Sequence, residues 1–148
     1  MTIDHIGVVV SSLERGIQRW EDLFGYRPYT DIVTNTRQKV RVVFLHKPQS
    51  IMIKLLEPSE PDSPIAAFAK RGGGLHHICF LCENLQQEIA VLVQRGARLL
   101  VLPEPGEAFN NKEIAFLFAA GNLNIELIDT VEKAAVVQDH AERAILSD

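Results

Sequence analysis

Two histidines and two oppositely charged side chains recur at one spacing along this chain of 148 residues. His5 lies in the stretch DHIGVVV and His77 in GGGLHHICF, 72 positions later (77 − 5). The same offset carries Lys54, in IKLL, onto Glu126, in IELI (126 − 54 = 72). Two imidazoles and a carboxylate held on rigid strands are a typical ligand set for a divalent metal ion. The chemistry therefore depends on whether the fold brings four distant positions together.

The segments around these residues form an internal repeat. HIGVVVSSLERGI aligns with HICFLCENLQQEI, which places Leu13 on Leu85 and Ile17 on Ile89. Between the two anchors, VRVVFL aligns with IAFLFA at an offset of 74 (114 − 40), as a loop insertion and a later deletion would produce. Agreement at both ends of two long segments indicates a duplicated module.

Each half of the chain predicts the same order of elements. An apolar strand comes first, followed by a helix whose apolar residues recur every three or four positions. Ser12 and Asn84 directly precede the two helices and are predicted to cap them. Three further strands complete each half, so the expected order is β-α-β-β-β, twice.

The expected fold class is α+β, with two βαβββ modules in tandem that form one cupped, mixed sheet. The modules cover residues 1–60 and 74–130 of a single domain that spans residues 1–148. Residues 61–73 are predicted to form a linker helix between them. Residues 131–148 have the pattern of apolar positions expected of a C-terminal helix.

Charge and composition exclude several classes of partner. The chain has 15 basic and 19 acidic side chains, a net charge of −4, and no run of Lys or Arg longer than two, unlike a surface for nucleic acid or anionic membranes. No apolar stretch approaches the roughly 18 residues of a membrane span. Residues 1–10 contain Asp4 but no Lys or Arg, unlike a secretory leader, so we expect a cytoplasmic protein. Cys79 and Cys82 should face opposite sides of one strand and stay free.

The repeat predicts where a site would form. Two modules related by an approximate two-fold axis can lay their sheets edge to edge, and residues facing the shared trough are then equivalent. His5 would meet His77, and Lys54 would meet Glu126. Because successive residues of a strand face opposite sides, His76 is expected to point away from this trough.

The span from about Ile3 to Asp129 resembles the vicinal oxygen chelate superfamily, which includes glyoxalases and bleomycin resistance proteins. The segments that carry the resemblance are DHIGVVV, IKLLEP, DSPIAAF, GGGLHHICF and NIELID. SPIAAF and GGLHHIC are most similar to the methylmalonyl-CoA epimerase-like branch. The resemblance implies paired modules around a deep cup, a divalent metal ion (Zn, Co, Ni or Mn), a small-molecule substrate and a homodimer.

The resemblance also implies which residues act. The family takes one metal ligand from the first and the fourth strand of each module, which assigns His5, His77 and Glu126 as metal ligands here. Lys54 departs from the pattern, since the family has Glu or Gln there and a protonated lysine has no lone pair to offer. The epimerases also carry a catalytic Glu shortly before their third strand, where Arg37 aligns in this chain.

Lys54 either weakens the binding of a metal ion or replaces the ion. At about 4 Å and an effective dielectric constant of about 20, two unit charges repel by about 4 kcal/mol, and a divalent ion doubles this energy. An ion survives if Lys54 is neutral or swings out; otherwise its ammonium pairs with Glu126 in a metal-free centre. In both cases Glu126 and Lys54 are candidate catalytic residues, and Lys54 and Arg37 are candidate substrate-binding residues.

Two functions are compatible with these residues. The first is an isomerase (epimerase) or lyase of the vicinal oxygen chelate type, which moves a proton of a small carbonyl or acyl-thioester substrate through an enolate-like intermediate. The second is a metal-free protein of the same fold that binds a drug or metabolite in the cup. The ligand set of His5, His77 and Glu126 favours the enzyme, whereas Lys54 and Arg37 favour the binding protein.

Overall fold

The computed structural model of the chain describes residues 1–119 and 121–137, which fold into a nine-stranded mixed sheet flanked by α-helices. The first module consists of β1 (Thr2–Val9), α1 (Leu13–Phe24), β2 (Arg27–Pro28), β3 (Val33–Asn35), β4 (Val40–His46) and β5 (Met52–Pro58). Helix α2 (Ala66–Lys70) connects the modules. The second module consists of β6 (Gly74–Leu81), α3 (Leu85–Gln94), β7 (Arg98–Gly106), a 3-10 turn (Glu107–Phe109), β8 (Lys112–Ala119) and β9 (Leu123–Ile128).

The two modules join along their first strands. The strand order is β2-β4-β5-β1-β6-β9-β8-β7, with β3 also paired to β4. Strands β1 and β6 are antiparallel, and each is parallel to the last strand of its own module. The register across this seam is symmetric about the pair Ile6–Ile78. The pairs His5–Cys79 and Gly7–His77 flank it and are equivalent to each other.

The N-terminal ends of α1 and α3 are capped by equivalent residues of the two modules. The Ser12 hydroxyl accepts from the Arg15 amide at 3.3 Å, and the Asn84 side chain accepts from the Gln87 amide at 2.9 Å, so both predicted caps form. A carboxylate at the end of each module's last strand adds a second contact. Glu57 accepts from the Leu13 amide at 2.6 Å and Asp129 from the Leu85 amide at 3.2 Å. The offset of 72 therefore holds for backbone contacts as well as for residue types.

The core divides between the two faces of the sheet. On one face, α1 and α3 cover the modules, with Leu13 packed near Leu55 and Leu85 near Leu127. On the other face, a shared cluster that includes Phe44 and Phe109 takes residues from both modules. Since this second cluster crosses the seam, its burial holds the two modules together as one body.

Some predicted elements differ from the structure. The second strand expected in the first module is broken into β2 and β3, both paired with β4. Helix α2 occupies only part of the predicted linker helix. The C-terminal segment is not helical over residues 131–137, where Val136 forms an isolated bridge with Thr30. The rest of the predicted tail, residues 138–148, lies outside the described residues. Within the described part of the chain, no helix has the length and apolar character needed to cross a membrane.

Candidate metal and substrate site

The four predicted site residues lie on four adjacent strands, β5, β1, β6 and β9. His5, His77 and Glu126 are completely buried, and Lys54 is only 1% exposed. All four side chains project from the face that carries the shared cluster, and they meet where the modules join. The buried polar cluster therefore sits on the pseudo-two-fold axis.

Three acceptor atoms converge at the centre of this cluster. Nε2 of His5 lies 2.9 Å from Oε1 of Glu126 and 3.3 Å from Nε2 of His77, and the distance from His77 Nε2 to Glu126 Oε1 is 3.4 Å. Ligands about 2.0–2.1 Å from a tetrahedral ion are about 3.3 Å apart. The triangle thus has the dimensions of one face of a small metal polyhedron.

The outer nitrogens of both rings are engaged by the preceding residue. Nδ1 of His5 lies 2.6 Å from Oδ2 of Asp4, and Nδ1 of His77 lies 2.8 Å from Nδ1 of His76. If each site histidine donates its Nδ1–H to this neighbour, its Nε2 lone pair faces the centre. Outer contacts of this kind fix the orientation and tautomer of histidines that bind metals.

Two β-bulges create these outer contacts. Strand β1 has one extra residue, Asp4, opposite β6, and β6 has one extra residue, His76, opposite β1. A bulge re-aims the side chain of its strand. For this reason the prediction that His76 points away is wrong: its ring contacts His77 and lines the neighbouring cavity. Asp4 and His76 are also related by the offset of 72 (76 − 4).

Gly7 makes room for one of the two rings. A Cβ atom on Gly7 would lie 2.1 Å from Cε1 and 2.4 Å from Nδ1 of His77. Real Cβ contacts are never this short, so the ring can lie across the backbone of β1 only because residue 7 lacks a side chain. The HIG motif of the first module therefore positions the histidine of the second.

Lys54 closes one side of the cluster. Its Nζ lies 3.5 Å from Oε2 of Glu126, the carboxylate oxygen turned away from the histidine triangle. The ammonium also lies 5.0 Å from the ring centroid of Phe109 and 5.7 Å from that of Phe44. The lysine thus pairs with the third ligand candidate and offers no acceptor of its own.

Burial and charge set the ionisation of the centre. Burial opposes a charged Glu126, but the Lys54 ammonium and the two imidazoles outweigh it and lower the pKa of the carboxyl well below its ordinary value. Burial lowers the pKa of His77 to about 3, so its ring is neutral. A neutral imidazole and an ionised carboxylate are the protonation states that bind a metal.

A second buried lysine, which the sequence analysis missed, reaches the other end of the cluster. Nζ of Lys133 lies 3.1 Å from Oδ2 and 3.2 Å from Oδ1 of Asp4. Burial raises the pKa of Asp4, but the hydrogen bond with His5 and the charge of Lys133 outweigh this effect. The pKa of the carboxyl is therefore below its ordinary value. Each of the two carboxylates of the cluster therefore has its own ammonium partner.

A cavity of about 210 Å³ opens above Lys54, and apolar side chains from both modules form most of its wall. The polar groups that reach it are Lys54, His76, Gln38 and Asn124. The apolar residues are Val40, Leu56, Pro64, Ile65, Leu100, Val101 and Phe116. A mainly apolar wall with a few fixed polar groups is the usual composition of a small-molecule site.

Arg37 is not part of this arrangement. It is exposed on the turn between β3 and β4 and does not line the cavity, whereas its neighbour Gln38 does.

Cys79 and Cys82 are free thiols that belong to clusters on opposite faces of the sheet.

The donor set fits a divalent cation. His5, His77 and Glu126 contribute one ligand atom each, and these three atoms lie 2.9–3.4 Å from one another. Among the described residues, Glu126 Oε1 is the buried side-chain atom that receives no well-directed hydrogen bond. A buried anionic oxygen without a donor is costly, and a cation would satisfy it. With Lys54 in place of a fourth ligand, one coordination position would stay open, as in catalytic zinc sites.

Comparison with known proteins gives consistent results. The profile of the glyoxalase/bleomycin resistance protein/dioxygenase superfamily matches residues 4–118. An uncharacterized protein of Bacillus subtilis, YqjC, is 35% identical over 116 residues, which cover 78% of this chain and 81% of that protein. The ethylmalonyl-CoA/methylmalonyl-CoA epimerase of Cereibacter sphaeroides is 30% identical over 117 residues, covering 78% and 86%.

A solved structure extends the likeness to the whole fold. A variant of Streptomyces coelicolor methylmalonyl-CoA epimerase, in complex with 2-nitronate-propionyl-CoA, superposes with a TM-score of 0.77 at 27% identity. The superposition covers 90% of this chain and 98% of the other.

Proposed function

Because this chain belongs to the glyoxalase/bleomycin resistance protein/dioxygenase superfamily, we propose that it is an isomerase that moves the α-proton of a small acyl thioester through an enolate-like intermediate. The observation that carries the proposal is the buried cluster of His5, His77, Glu126 and Lys54 beside a small apolar cavity. An α-proton leaves when the charge that develops on the neighbouring oxygen is stabilised by preorganised groups.

The relatives support a CoA thioester as the substrate class. Epimerases of methylmalonyl-CoA and ethylmalonyl-CoA are among them, and the Streptomyces coelicolor enzyme holds a nitronate of propionyl-CoA. A nitronate is a planar anion shaped like an enolate, which is the intermediate proposed here. The cavity of about 210 Å³ would take the acyl group and leave the CoA portion outside. Arg37, exposed beyond the cavity, stays a proposed contact for that outer anionic part of the substrate.

His5, His77 and Glu126 would hold a divalent ion such as Zn, Co, Ni or Mn. A bound ion of this kind polarises substrate oxygens as a Lewis acid. Lys54 lowers the affinity for the ion through charge repulsion, so we propose a weak metal site rather than a permanently filled one.

Lys54 and Glu126 have separate roles in the proposed reaction. Lys54 lines the cavity and has N–H donors for a thioester carbonyl, where they would stabilise the oxygen as negative charge develops. Glu126 orients that ammonium through Oε2, and Oε1 keeps a free lone pair that serves as metal ligand or proton acceptor. The apolar wall excludes water, which strengthens both interactions.

Deuterium incorporation tests the activity. Methylmalonyl-CoA is incubated in D2O with protein that has been stripped with chelator and reloaded with Zn, Co, Ni or Mn, and the α-proton is followed by NMR. We expect enzyme-dependent loss of the α-proton signal, abolished by His77→Ala and unchanged by Lys47→Met at an exposed position. The absence of exchange with every metal, for this thioester and for small α-keto substrates, would refute an isomerase.

One observation favours a binding protein as the second candidate. Among the described residues that line the cavity there is no carboxylate, and the aligned position of the family's catalytic Glu holds an exposed arginine, Arg37. Calorimetric titration separates the two functions: a binding protein would hold the thioester tightly while no deuterium enters it.

A homodimer remains part of the proposal, and light scattering of the purified chain measures its oligomeric state.

A further inference from the structure

The C-terminal strap, residues 131–137, is fixed to both modules beneath the cluster. The Ala134 amide donates to the Ala108 carbonyl at 2.8 Å in the second module. In the first module, the Asp31 amide donates to the Ala135 carbonyl at 2.9 Å. The strap is thus held to both modules by main-chain contacts directly after Lys133, which makes the position of that residue well defined.

The side chain of Lys133 turns inward from the strap. The residue is 7% exposed, and its Nζ lies 5.2 Å and 5.4 Å from the ring centroids of Phe44 and Phe109. Lys54 contacts the same two rings from within the cluster. A buried ammonium requires an anionic partner, and Lys133 finds it in both oxygens of Asp4.

Asp4 is the link between Lys133 and the centre. It is the bulged residue of β1, and its Oδ2 lies 2.6 Å from Nδ1 of His5. A residue in a bulge lacks a regular pairing partner in the ladder, so its side chain needs contacts of its own to stay in one orientation. Lys133 supplies these contacts from a segment 129 positions away (133 − 4).

We propose that Lys133 is a positioning residue for the metal and substrate site: by holding Asp4 it fixes the tautomer and orientation of His5. The C-terminal strap therefore completes the centre, which the two repeated modules alone do not. The inference rests on the proposed function for its metal readout, but the orientation of His5 is measurable without any metal. Loss of an outer partner of a ligating histidine typically weakens metal binding about 10–100-fold.

A purely electrostatic role predicts the opposite result. Removing a positive charge from the vicinity of a divalent ion reduces repulsion and should tighten binding. Removing a positioning contact should weaken it. The sign of the change in Zn²⁺ affinity upon Lys133→Met therefore separates the two explanations.

The experiment uses the full chain with Lys133→Met and the matched control Lys47→Met, which removes a positive charge from an exposed position. Chelator competition measures the Kd for Zn²⁺, and ¹H–¹⁵N NMR of the metal-free protein reports the His5 tautomer. We expect a Kd about tenfold weaker and a mixture of His5 tautomers for Lys133→Met, and no change for Lys47→Met.

A double variant tests whether Lys133 acts through Asp4. If it does, Asp4→Asn combined with Lys133→Met should weaken Zn²⁺ binding no more than the stronger single change. Lys133→Gln keeps an N–H donor for Asp4 and should preserve the His5 tautomer. Lys133→Leu, which also lacks a donor, replaces Lys133→Met if that variant does not fold. An unchanged His5 tautomer in Lys133→Met, or an unchanged or tighter Kd, overturns the proposal. If wild-type protein binds no Zn²⁺, the proposed metal site fails, and the tautomer alone decides the role of Lys133.

Discussion

Nε2 of His5 and Nε2 of His77 lie 3.3 Å apart, although 72 positions separate the two residues in the sequence. The antiparallel seam between β1 and β6 brings them together, because a two-fold axis places equivalent residues of the two modules on opposite sides of one point. A duplicated module with one histidine thus produces a centre with two. Lys54 and Glu126 obey the same symmetry in position but differ in charge, and this difference governs the first prediction.

Replacing Lys54 by Gln should strengthen metal binding. The change removes a positive charge beside the centre and adds an amide oxygen that can act as the fourth ligand. We expect the affinity for Zn²⁺ or Co²⁺ to rise by at least tenfold, and Co²⁺ absorption to shift as the coordination number changes. Competition with a chelator measures the affinity.

Lys54→Met is the matched control for this prediction, since it removes the charge without adding a ligand atom. Its affinity for metal should lie between those of the wild type and Lys54→Gln. Equal affinities in the wild type and in both variants would mean that the ammonium does not oppose the ion. One tightly bound equivalent of metal in wild-type protein purified without chelator would also contradict the proposed weak site.

Gly7→Ala should displace the ring of His77. The new Cβ would overlap the ring at 2.1–2.5 Å, and the ring is fully buried, so either β1 or His77 must move. Overpacking of this kind typically costs about 1–3 kcal/mol of unfolding free energy. We expect that loss in urea denaturation, together with weaker Zn²⁺ binding.

The His77→Ala background provides the control for Gly7→Ala. The three atoms nearest to the new methyl group all belong to this ring, so Gly7→Ala should cost much less in that background. An equal cost in both backgrounds would show that Gly7 matters for the backbone of β1 and not for the histidine.

Much of the architecture could be predicted from the sequence, because the duplication repeats its signals. Helices α1 and α3 each have a capping residue followed by apolar positions at helical spacing. Each module ends in an apolar strand with a charged residue at the equivalent position, Lys54 in the first and Glu126 in the second. The family profile and the superposed fold confirm the glyoxalase-like α+β architecture. The broken strand β2–β3 and the strap lack such periodicity, and their contacts depend on tertiary packing.

The site was harder to predict in its outer contacts. Strand alternation places His77 in the trough, but a bulge adds one residue to the ladder and reverses the side for its neighbour, which is why His76 was misplaced. Lys133 makes its ion pair with Asp4 across almost the whole chain, and no local pattern marks a contact of that range.

The two capping carboxylates should contribute to stability in a related way. Asp129→Ala removes one acceptor from the first turn of α3 and should cost about 1 kcal/mol, the usual effect of losing an N-terminal cap contact. Glu57→Ala should cost more, because Glu57 also accepts from Arg41 at 2.7 Å. Urea denaturation measures both, with exposed Glu113→Ala as the control.

Equal stability of Glu57→Ala and Glu113→Ala would contradict the cap at α1. If Glu57→Ala costs no more than Asp129→Ala, the ion pair with Arg41 contributes nothing. That result would fit the low value expected of ion pairs that are partly exposed, since side chains of Arg41 and Glu57 are 33% and 15% exposed.

His76 should act on the metal site through His77, in the way that Asp4 acts on His5. His76→Phe keeps an aromatic ring at the edge of the cavity but removes the nitrogen that lies 2.8 Å from Nδ1 of His77. We expect about tenfold weaker Zn²⁺ binding and a slower α-proton exchange.

His76→Gln is the control, because its side-chain oxygen can accept the Nδ1–H of His77, so it should retain most of the affinity. Thermal unfolding checks that both variants fold, and chelator competition gives both dissociation constants. Wild-type affinity in His76→Phe would show that the ring serves only to shape the cavity, whereas equal losses in both variants would show that the imidazole itself is required.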